Sequence, residues 1–234
     1  MSAIPYLNRR SLLAGLAASP IALTGIGAFP SAARAQAQGA GLISPNVCLV
    51  TPAMTEGPYY FDPDLVRADV TEDREGMPLR LQIQVVSADC VAIPNARVDI
   101  WHCDARGIYS GYRNRGTGND ARGETFLRGT QMTNANGTTT FQTIYPGWYP
   151  GRTTHIHYKV FLDQRTVLTS QLFFPDTVSE ALFDSTAPYN ERAGQRDTMN
   201  SSDGILRRAG DGAYAAVQQY PEYYDAALVV GINA

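Results

Sequence analysis

Lysine is nearly absent from this sequence, and histidine and cysteine are scarce. Lys159 is the single lysine among 234 residues, and the chain holds three histidines and three cysteines. The sequence has no run of basic residues that could contact a phosphate backbone, which argues against a nucleic-acid partner. Because histidines are so few, two of them placed side by side, at His155 and His157, are informative.

A long apolar span is also missing. The apolar run near the N-terminus is broken by Pro20 and is too short to cross a bilayer, which argues against stable membrane insertion. The same region has the paired Arg9-Arg10, an apolar middle and the ending Ala33-Arg-Ala35, which together are typical of a twin-arginine signal peptide. We therefore expect residues 1–35 to direct export to the periplasm or the cell exterior. Their removal takes the formal net charge from −3 to −6.

The number of cysteines limits the disulfide bonds that an exported chain can form. An oxidising compartment permits one disulfide and leaves one odd thiol. Cys103 ends a predicted strand and has the character of a small buried hydrophobe. We therefore prefer the pairing of Cys48 with Cys90, although the spacing does not determine it.

Long segments with the 3.6-residue period of a helix are missing too, and short strand patterns separated by turn signals take their place. Residues 36–50 are predicted to be a flexible lead-in, and residues 51–234 one domain. The expected fold is all-β, an antiparallel β-sandwich with long loops. The predicted strands are Leu79–Val85, Arg97–Cys103, Gln131–Thr133, Thr138–Ile144, His155–Phe161, Val167–Phe174 and Tyr224–Ile232. Two pairings are expected: Gln131–Thr133 with Thr138–Ile144 in a hairpin about Asn134–Gly137, and His155–Phe161 with Val167–Phe174. Ser179–Asp184 is a predicted short helix and Glu191–Ala209 a predicted polar loop.

The segment from His155 to Phe161 alternates apolar and polar residues. In a strand, residues two apart project from the same face, so His155 and His157 should lie side by side while Ile156 and Tyr158 face the core. Two imidazoles at that spacing form half of a metal site. The alternative is a solvated face that carries two polar rings by chance.

The usual partners for two histidine ligands are missing nearby. Glu124 is the nearest preceding carboxylate, and no cysteine follows Cys103, so neither a carboxylate triad nor a thiolate zinc site is indicated. Tyrosine is plentiful instead. A phenol has a pKa of about 10, and only a strongly charged metal such as ferric iron would ionise it at neutral pH.

Four segments occur together in order: Val98-Asp-Ile-Trp-His-Cys-Asp-Ala-Arg-Gly-Ile-Tyr-Ser110, Thr143-Ile-Tyr-Pro-Gly-Trp-Tyr-Pro-Gly-Arg152, His155-Ile-His157 and Leu168-Thr-Ser-Gln-Leu-Phe-Phe174. Together they resemble the intradiol catechol dioxygenases, the family of protocatechuate 3,4-dioxygenase and catechol 1,2-dioxygenase. The resemblance covers roughly residues 51 to 174. The occurrence of all four segments in one chain is far more specific for this family than the occurrence of any one segment.

The resemblance implies a set of site residues. The implied ligands of a non-haem ferric iron are Tyr109, Tyr149, His155 and His157. Arg152 would stabilise negative charge that develops on the substrate ring, and Tyr149 would be the ligand that the incoming diol displaces. Gln171 would orient substrate or oxygen, with a purely structural role for this strand residue as the alternative. Tyr59, Tyr60 and Gly151 are the implied substrate-pocket residues, with ordinary packing of the two tyrosine rings as the alternative. His102 is expected to be a core histidine because the ligand set is already filled.

Two positions depart from the family pattern. The common Arg-Pro-Ala-His is Arg152-Thr-Thr-His155 here, which leaves the ligands untouched. Gly151 replaces a bulky residue that often follows the second tyrosine, which bears on substrate preference.

The implied function is cleavage of a catechol-type diol by O2 between its two hydroxyl-bearing carbons, giving a muconate-type diacid. Two other classes remain open from the sequence: a non-catalytic, transthyretin-like sandwich that binds aromatic or carbohydrate ligands, and a copper or zinc protein that uses His155 and His157. The sequence does not choose among catechol, protocatechuate, hydroxyquinol and lignin-derived diols, and it leaves self-association open.

Overall fold

The computed structural model of the chain describes residues 49–62, 64–113 and 118–233. The predicted signal peptide, most of the predicted lead-in and Cys48 lie outside the described residues. The strands are β1 (Pro78–Ser87), β2 (Arg97–Trp101), β3 (Arg128–Met132), β4 (Thr138–Ile144), β5 (His155–Leu162), β6 (Arg165–Phe173), β7 (Ala216–Gln219) and β8 (Tyr224–Ile232); the α-helices are α1 (Asp176–Ser185) and α2 (Gly204–Ala209), and short 3-10 turns cover Tyr189–Arg192 and Asp211–Ala213.

The strands of the described residues form two sheets of four. The first sheet has the order β4-β1-β8-β7 and the second the order β3-β2-β5-β6. Every neighbouring pair is antiparallel except β1 and β8, which run parallel from Leu79 opposite Tyr224 to Ser87 opposite Ile232. The predicted β-sandwich is confirmed. The parallel pairing of β1 with β8 is not part of the prediction, because alternation within a strand carries no information about which strand lies beside it.

The core lies between the two sheets and is built from alternate residues of each strand. Leu81 and Ile83 of β1 and Leu228 of β8 meet Ile100 of β2 and Val160 of β5, and all five side chains are almost completely buried. Burial of each such side chain contributes about 1.5–3 kcal/mol. The period-two pattern therefore fixes which face of each strand points inward.

The predicted hairpin about residues 134–137 is wrong, although its turn forms. Asn134 N–H donates to the Thr138 carbonyl at 3.0 Å, yet β3 pairs with β2 and β4 pairs with β1 in the other sheet. Thr133 is held to the second sheet because its N–H donates to the Ala96 carbonyl, whereas the Gly137 carbonyl accepts Val85 N–H from β1. The turn thus carries the chain from one sheet to the other.

The two helices follow β6. The predicted helix at Ser179–Asp184 is confirmed within the longer α1. The predicted polar loop at Glu191–Ala209 is wrong at its end, because Gly204–Ala209 forms α2. Asp203 caps that helix by accepting the N–H groups of Ile205 and Leu206 through its side chain, as a good N-cap residue does.

An irregular segment, residues 51–60, covers the outer face of the second sheet, and we call it the covering segment. Met54 N–H donates to the Thr169 carbonyl at 2.8 Å, and Ser170 Oγ donates to the Pro52 carbonyl at 2.9 Å. Lys159 of β5 forms an ion pair with Glu56. These contacts hold the covering segment across β5 and β6, and the outer-face side chains of His155, His157 and Gln171 are buried as well.

The cysteines behave as expected where the structure describes them. Cys103 is a buried free thiol, and Cys90 is disulfide-bonded. Among the described residues, no helix has the length and apolar character that a membrane crossing requires.

The turn at Gly137 provides a test of the sheet-to-sheet connection. Gly137 has φ +69°, and an added Cβ would lie 2.4 Å from the Val85 carbonyl oxygen. Gly194 has nearly the same φ, +68°, with nothing within 4 Å of such a Cβ. Both alanine substitutions should cost about 1–2 kcal/mol of backbone strain, and Gly137→Ala should cost about 1–3 kcal/mol more through the clash. Chemical denaturation measures both values, and equal losses would contradict this account.

Candidate active site

His155 and His157 lie side by side on the outer face of β5, as their spacing predicts. Ile156 and Tyr158 point the other way, into the main core. Both imidazoles are nonetheless buried, with exposed fractions of 2% and 1%. The alternative of two rings on a solvated face is therefore wrong, because the covering segment and the loops beside it exclude water from this face.

The ring nitrogens of His155 have defined roles. Nδ1 lies 2.6 Å from the Thr153 carbonyl oxygen, which can only accept, so Nδ1 carries the proton and Nε2 presents a lone pair. That Nε2 lies 3.1 Å from Nε2 of His157. A carbonyl that orients the distal ring nitrogen in this way is typical of metal-binding histidines.

Two tyrosines reach the imidazoles from separate loops. Tyr149, in the loop after β4, places its Oη 3.1 Å from Nε2 of His155. Tyr109, in the loop after β2, packs edge-on against Tyr149 and His157 with ring centroids 5.6 and 6.2 Å apart. The structure therefore brings all four predicted ligands into one cluster.

Burial sets the charge state of this cluster. It raises the pKa of Tyr149 to about 12 and the pKa of Tyr109 well above its usual value. It lowers the pKa of His155 to about 3 and that of His157 well below its usual range. The metal-free chain thus holds two neutral phenols and two neutral imidazoles at neutral pH, and a bound cation is needed to ionise a phenol here.

The donor atoms fit a metal ion. Protein nitrogen and oxygen ligands lie about 2.0–2.2 Å from a metal, so donors that share one ion lie roughly 3 Å apart. Nε2 of His155 shows such a separation from two other donor atoms, since it lies 3.1 Å from Nε2 of His157 and 3.1 Å from Oη of Tyr149. Within the described part of the chain, no group of three or more His, Cys, Asp or Glu side chains is arranged to hold a metal.

Arg152 is fixed beside the cluster by two partners. Its Nε donates to Oδ2 of Asp203 at 2.8 Å, and its Nη2 donates to Oε1 of Gln171 at 2.6 Å. Its Nη1 lies 3.4 Å from Nε2 of His155. Gln171 is itself anchored, since its Nε2 donates to the Thr55 carbonyl of the covering segment at 2.9 Å.

A cavity of about 440 Å³ opens onto the cluster. A volume of this size suits a small organic ligand. Its walls mix backbone-rich turns, aromatic rings and one guanidinium. The lining residues are Thr55, Gly57, Pro58, Tyr59, Gly107, Tyr109, Tyr149, Pro150, Arg152 and Ile205.

Of the three predicted pocket residues, only Tyr59 lines this cavity, so the expectations for Tyr60 and Gly151 need correction. Tyr60 turns away because its hydroxyl donates to Oδ2 of Asp99 at 2.9 Å and its ring lies under the Lys159 ammonium. The N–H of Gly151 faces the carboxylate of Asp197 instead. Tyr59 stacks on Tyr109, with ring centroids 4.4 Å apart.

His102, the third histidine, lies outside the cluster. Its Nδ1 is 2.8 Å from the Cys103 carbonyl oxygen and its Nε2 is 2.7 Å from Oγ1 of Thr143 in the other sheet. Both ring nitrogens are therefore occupied, and the side chain links the sheets, in keeping with its expected core role.

Sequence reasoning missed several residues of the site, including the following three. Trp101 stacks on His157 with ring centroids 4.8 Å apart, Asp203 holds Arg152, and Ile205 lines the cavity. The only available signal for the last two was the helix start Asp203-Gly-Ile-Leu, an N-cap residue before apolar residues. Nothing in that pattern indicates which loop the helix approaches.

Comparisons with known proteins point in one direction. A sequence model of a family described as "Dioxygenase" matches residues 51–187. Catechol 1,2-dioxygenase of Acinetobacter baylyi is 32% identical over 148 residues, which make up 52% of this chain and 45% of that protein. The chain spans about half the length of the curated relatives that it matches.

Solved structures agree with the sequence matches. An intradiol ring-cleavage dioxygenase from Tetranychus urticae is 35% identical, with a TM-score of 0.72, over 80% of this chain and 95% of that one. The dioxygenase domain of a dioxygenase and carbohydrate-binding fusion protein from Streptomyces sp. SirexAA-E is 28% identical, with a TM-score of 0.57, over 80% of this chain and 99% of that one.

Metal loading tests the cluster directly. A ligand that binds only the folded chain stabilises it by about 2.7 kcal/mol at one hundred times its Kd, so ferric iron should raise the thermal unfolding midpoint by several degrees. His157→Ala should abolish that rise. His102→Asn, a change at the buried histidine that lies outside the cluster, should lower the midpoint but keep the rise. Differential scanning calorimetry with and without iron measures it, and a rise that survives His157→Ala would remove this residue from the site.

Proposed function

Because the chain belongs to the intradiol ring-cleavage dioxygenase family, we propose that it uses O2 and a bound ferric iron to cleave catechol-type diols between the two hydroxyl-bearing carbons. The product is a muconate-type diacid. The observation that carries this proposal is the cluster of two imidazoles and two phenols beneath an open cavity.

Tyr109, Tyr149, His155 and His157 are the proposed iron ligands. Two phenolates offset two of the three positive charges, which makes this donor set suited to a trivalent ion in a poorly solvated pocket. When bound, ferric iron supplies a Lewis acid that draws electron density from the diol ring and makes the ring reactive toward O2.

Tyr149 is the proposed proton acceptor for the incoming diol. A diol that binds through both oxygens would lose two phenolic protons; the phenolate of Tyr149 would accept one of them, and a water or hydroxide in the cavity would carry the other. Both tyrosines line the cavity, but Tyr149 is only partly buried, whereas Tyr109 is 1% exposed. Oη of Tyr149 is therefore the phenolic oxygen that a diol reaches more readily.

Arg152 is the proposed electrostatic group. Its guanidinium lines the cavity and is held in place before any substrate arrives. A preorganised donor of this kind stabilises charge that develops on the ring without reorganisation during the reaction. Gln171 acts by holding Arg152. Tyr59 and the covering segment wall the cavity and keep water from the reacting ring.

The non-catalytic sandwich and the copper or zinc protein are not favoured by the family match. Metal analysis and oxygen uptake distinguish all three functions. The proposed enzyme consumes one O2 per diol and yields a diacid, whereas a binding module consumes none.

Catalysis by the iron-loaded chain can be tested with two variants. Arg152→Ala should lower kcat for catechol by about 10²–10³-fold and leave the iron content unchanged. Tyr149→Phe should change the visible absorption of the iron-loaded protein and also slow ring cleavage. Arg80→Ala, which removes an ion pair with Asp225 on the other sheet, is the matched control and should be fully active. Oxygen uptake with product identification measures each, and product cleaved outside the two hydroxyl-bearing carbons would refute the intradiol assignment.

We also propose that the chain is exported through its twin-arginine segment. The double substitution Arg9→Lys and Arg10→Lys keeps the charge but removes the paired guanidinium groups. Cell fractionation should then find the uncleaved protein in the cytoplasm instead of the exported fraction. Unchanged export of the double variant would argue for a different route.

A further inference from the structure

Asp203 is a buried carboxylate whose four hydrogen bonds join helix α2 to the candidate site. Oδ1 accepts the N–H groups of Ile205 and Leu206 at 2.8 and 3.0 Å. Oδ2 accepts Nε of Arg152 at 2.8 Å and the N–H of Thr153 at 3.0 Å. One oxygen therefore caps the helix, and the other holds the loop that leads into the metal-binding strand.

The surroundings keep this carboxylate charged. Burial alone would raise the pKa of Asp203, but the hydrogen bonds from Leu206, Arg152 and Thr153 hold the pKa below its usual value. The side chain is only 1% exposed, against 15% for Arg152. The contact is thus a charge-assisted hydrogen bond in a site that solvent screens poorly.

The contact has a geometric consequence for Arg152. A guanidinium held at one nitrogen can still turn about its side-chain bonds. Here Asp203 accepts from Nε and Gln171 accepts from Nη2, so two different nitrogens of the planar group are held. The two anchors fix its plane and leave Nη1 directed toward His155.

We propose that Asp203 is the positioning residue for Arg152, and that its Oδ2 fixes the guanidinium toward the reacting ring while its Oδ1 fixes α2. This inference rests on the proposed function. The same helix start also brings Ile205 to the cavity wall. One carboxylate therefore positions both the positively charged Arg152 and the apolar Ile205 at the substrate site.

Asp203→Asn separates the two tasks of the carboxylate. An amide has one oxygen, so if that oxygen keeps the cap, an NH2 group faces the Arg152 and Thr153 donors and cannot accept from them. Loss of a residue that orients a site group typically costs about 10–100-fold. We expect kcat for catechol to fall by that factor, with iron content unchanged and KM little changed.

A double-mutant cycle shows whether Asp203 acts through Arg152. In an Arg152→Ala background, Asp203→Asn should cause little further loss of kcat, because the group that it positions is already gone. Asp225→Asn removes the partner of Arg80 on the other sheet and should leave activity unchanged. If Asp203→Asn fails to fold, Asp203→Ser keeps a capping hydroxyl and replaces it in the cycle.

A measurement on the metal-free chain is independent of turnover. Phenylglyoxal should modify Arg152 faster in Asp203→Asn than in the parent, as followed by peptide mass mapping, with the Asp225→Asn rate for Arg152 unchanged. Equal modification rates in parent and Asp203→Asn would overturn the proposal, as would losses of kcat that multiply in the cycle. A parent chain that binds iron but cleaves no diol would instead overturn the proposed function.

Discussion

Strand β5 is buried on both of its faces, and the candidate site depends on that constraint. Its inner face joins the sandwich core through Ile156, Tyr158 and Val160. Its outer face would meet water in an ordinary two-sheet sandwich, but here the covering segment crosses it. The histidines on that outer face consequently lie in a poorly solvated environment while remaining part of a rigid sheet.

Burial of so many polar groups is costly unless they have partners. The chain meets this cost around the site with a network that spans distant parts of the sequence. Thr153 accepts from His155, Gln171 joins Arg152 to the covering segment, and Asp203 joins Arg152 to α2. The four proposed ligands are held in the uncharged state by the same burial, and a strongly charged metal ion reverses that preference.

Rigid and irregular elements have different tasks in this arrangement. The sheet supplies the two imidazoles at a spacing fixed by the strand repeat. Loops supply the two phenols and the guanidinium, and their positions depend on contacts with the sheet and with one another. This division is common in enzymes, where a rigid scaffold positions functional residues on its loops.

The amino-acid sequence by itself determined most strand positions and the inward face of β1 and β5, because period-two alternation is a local property. It also determined that the side chains of His155 and His157 lie next to each other on one face of a strand. The motif resemblance identified the two tyrosines and Arg152 as members of the same site. Only the tertiary structure decided that β3 and β4 separate into different sheets, that Tyr60 turns toward Asp99, and that Asp203 reaches Arg152 from fifty-one residues away. Those outcomes follow from contacts between segments far apart in the chain, and a local pattern carries no record of which distant segment it will meet.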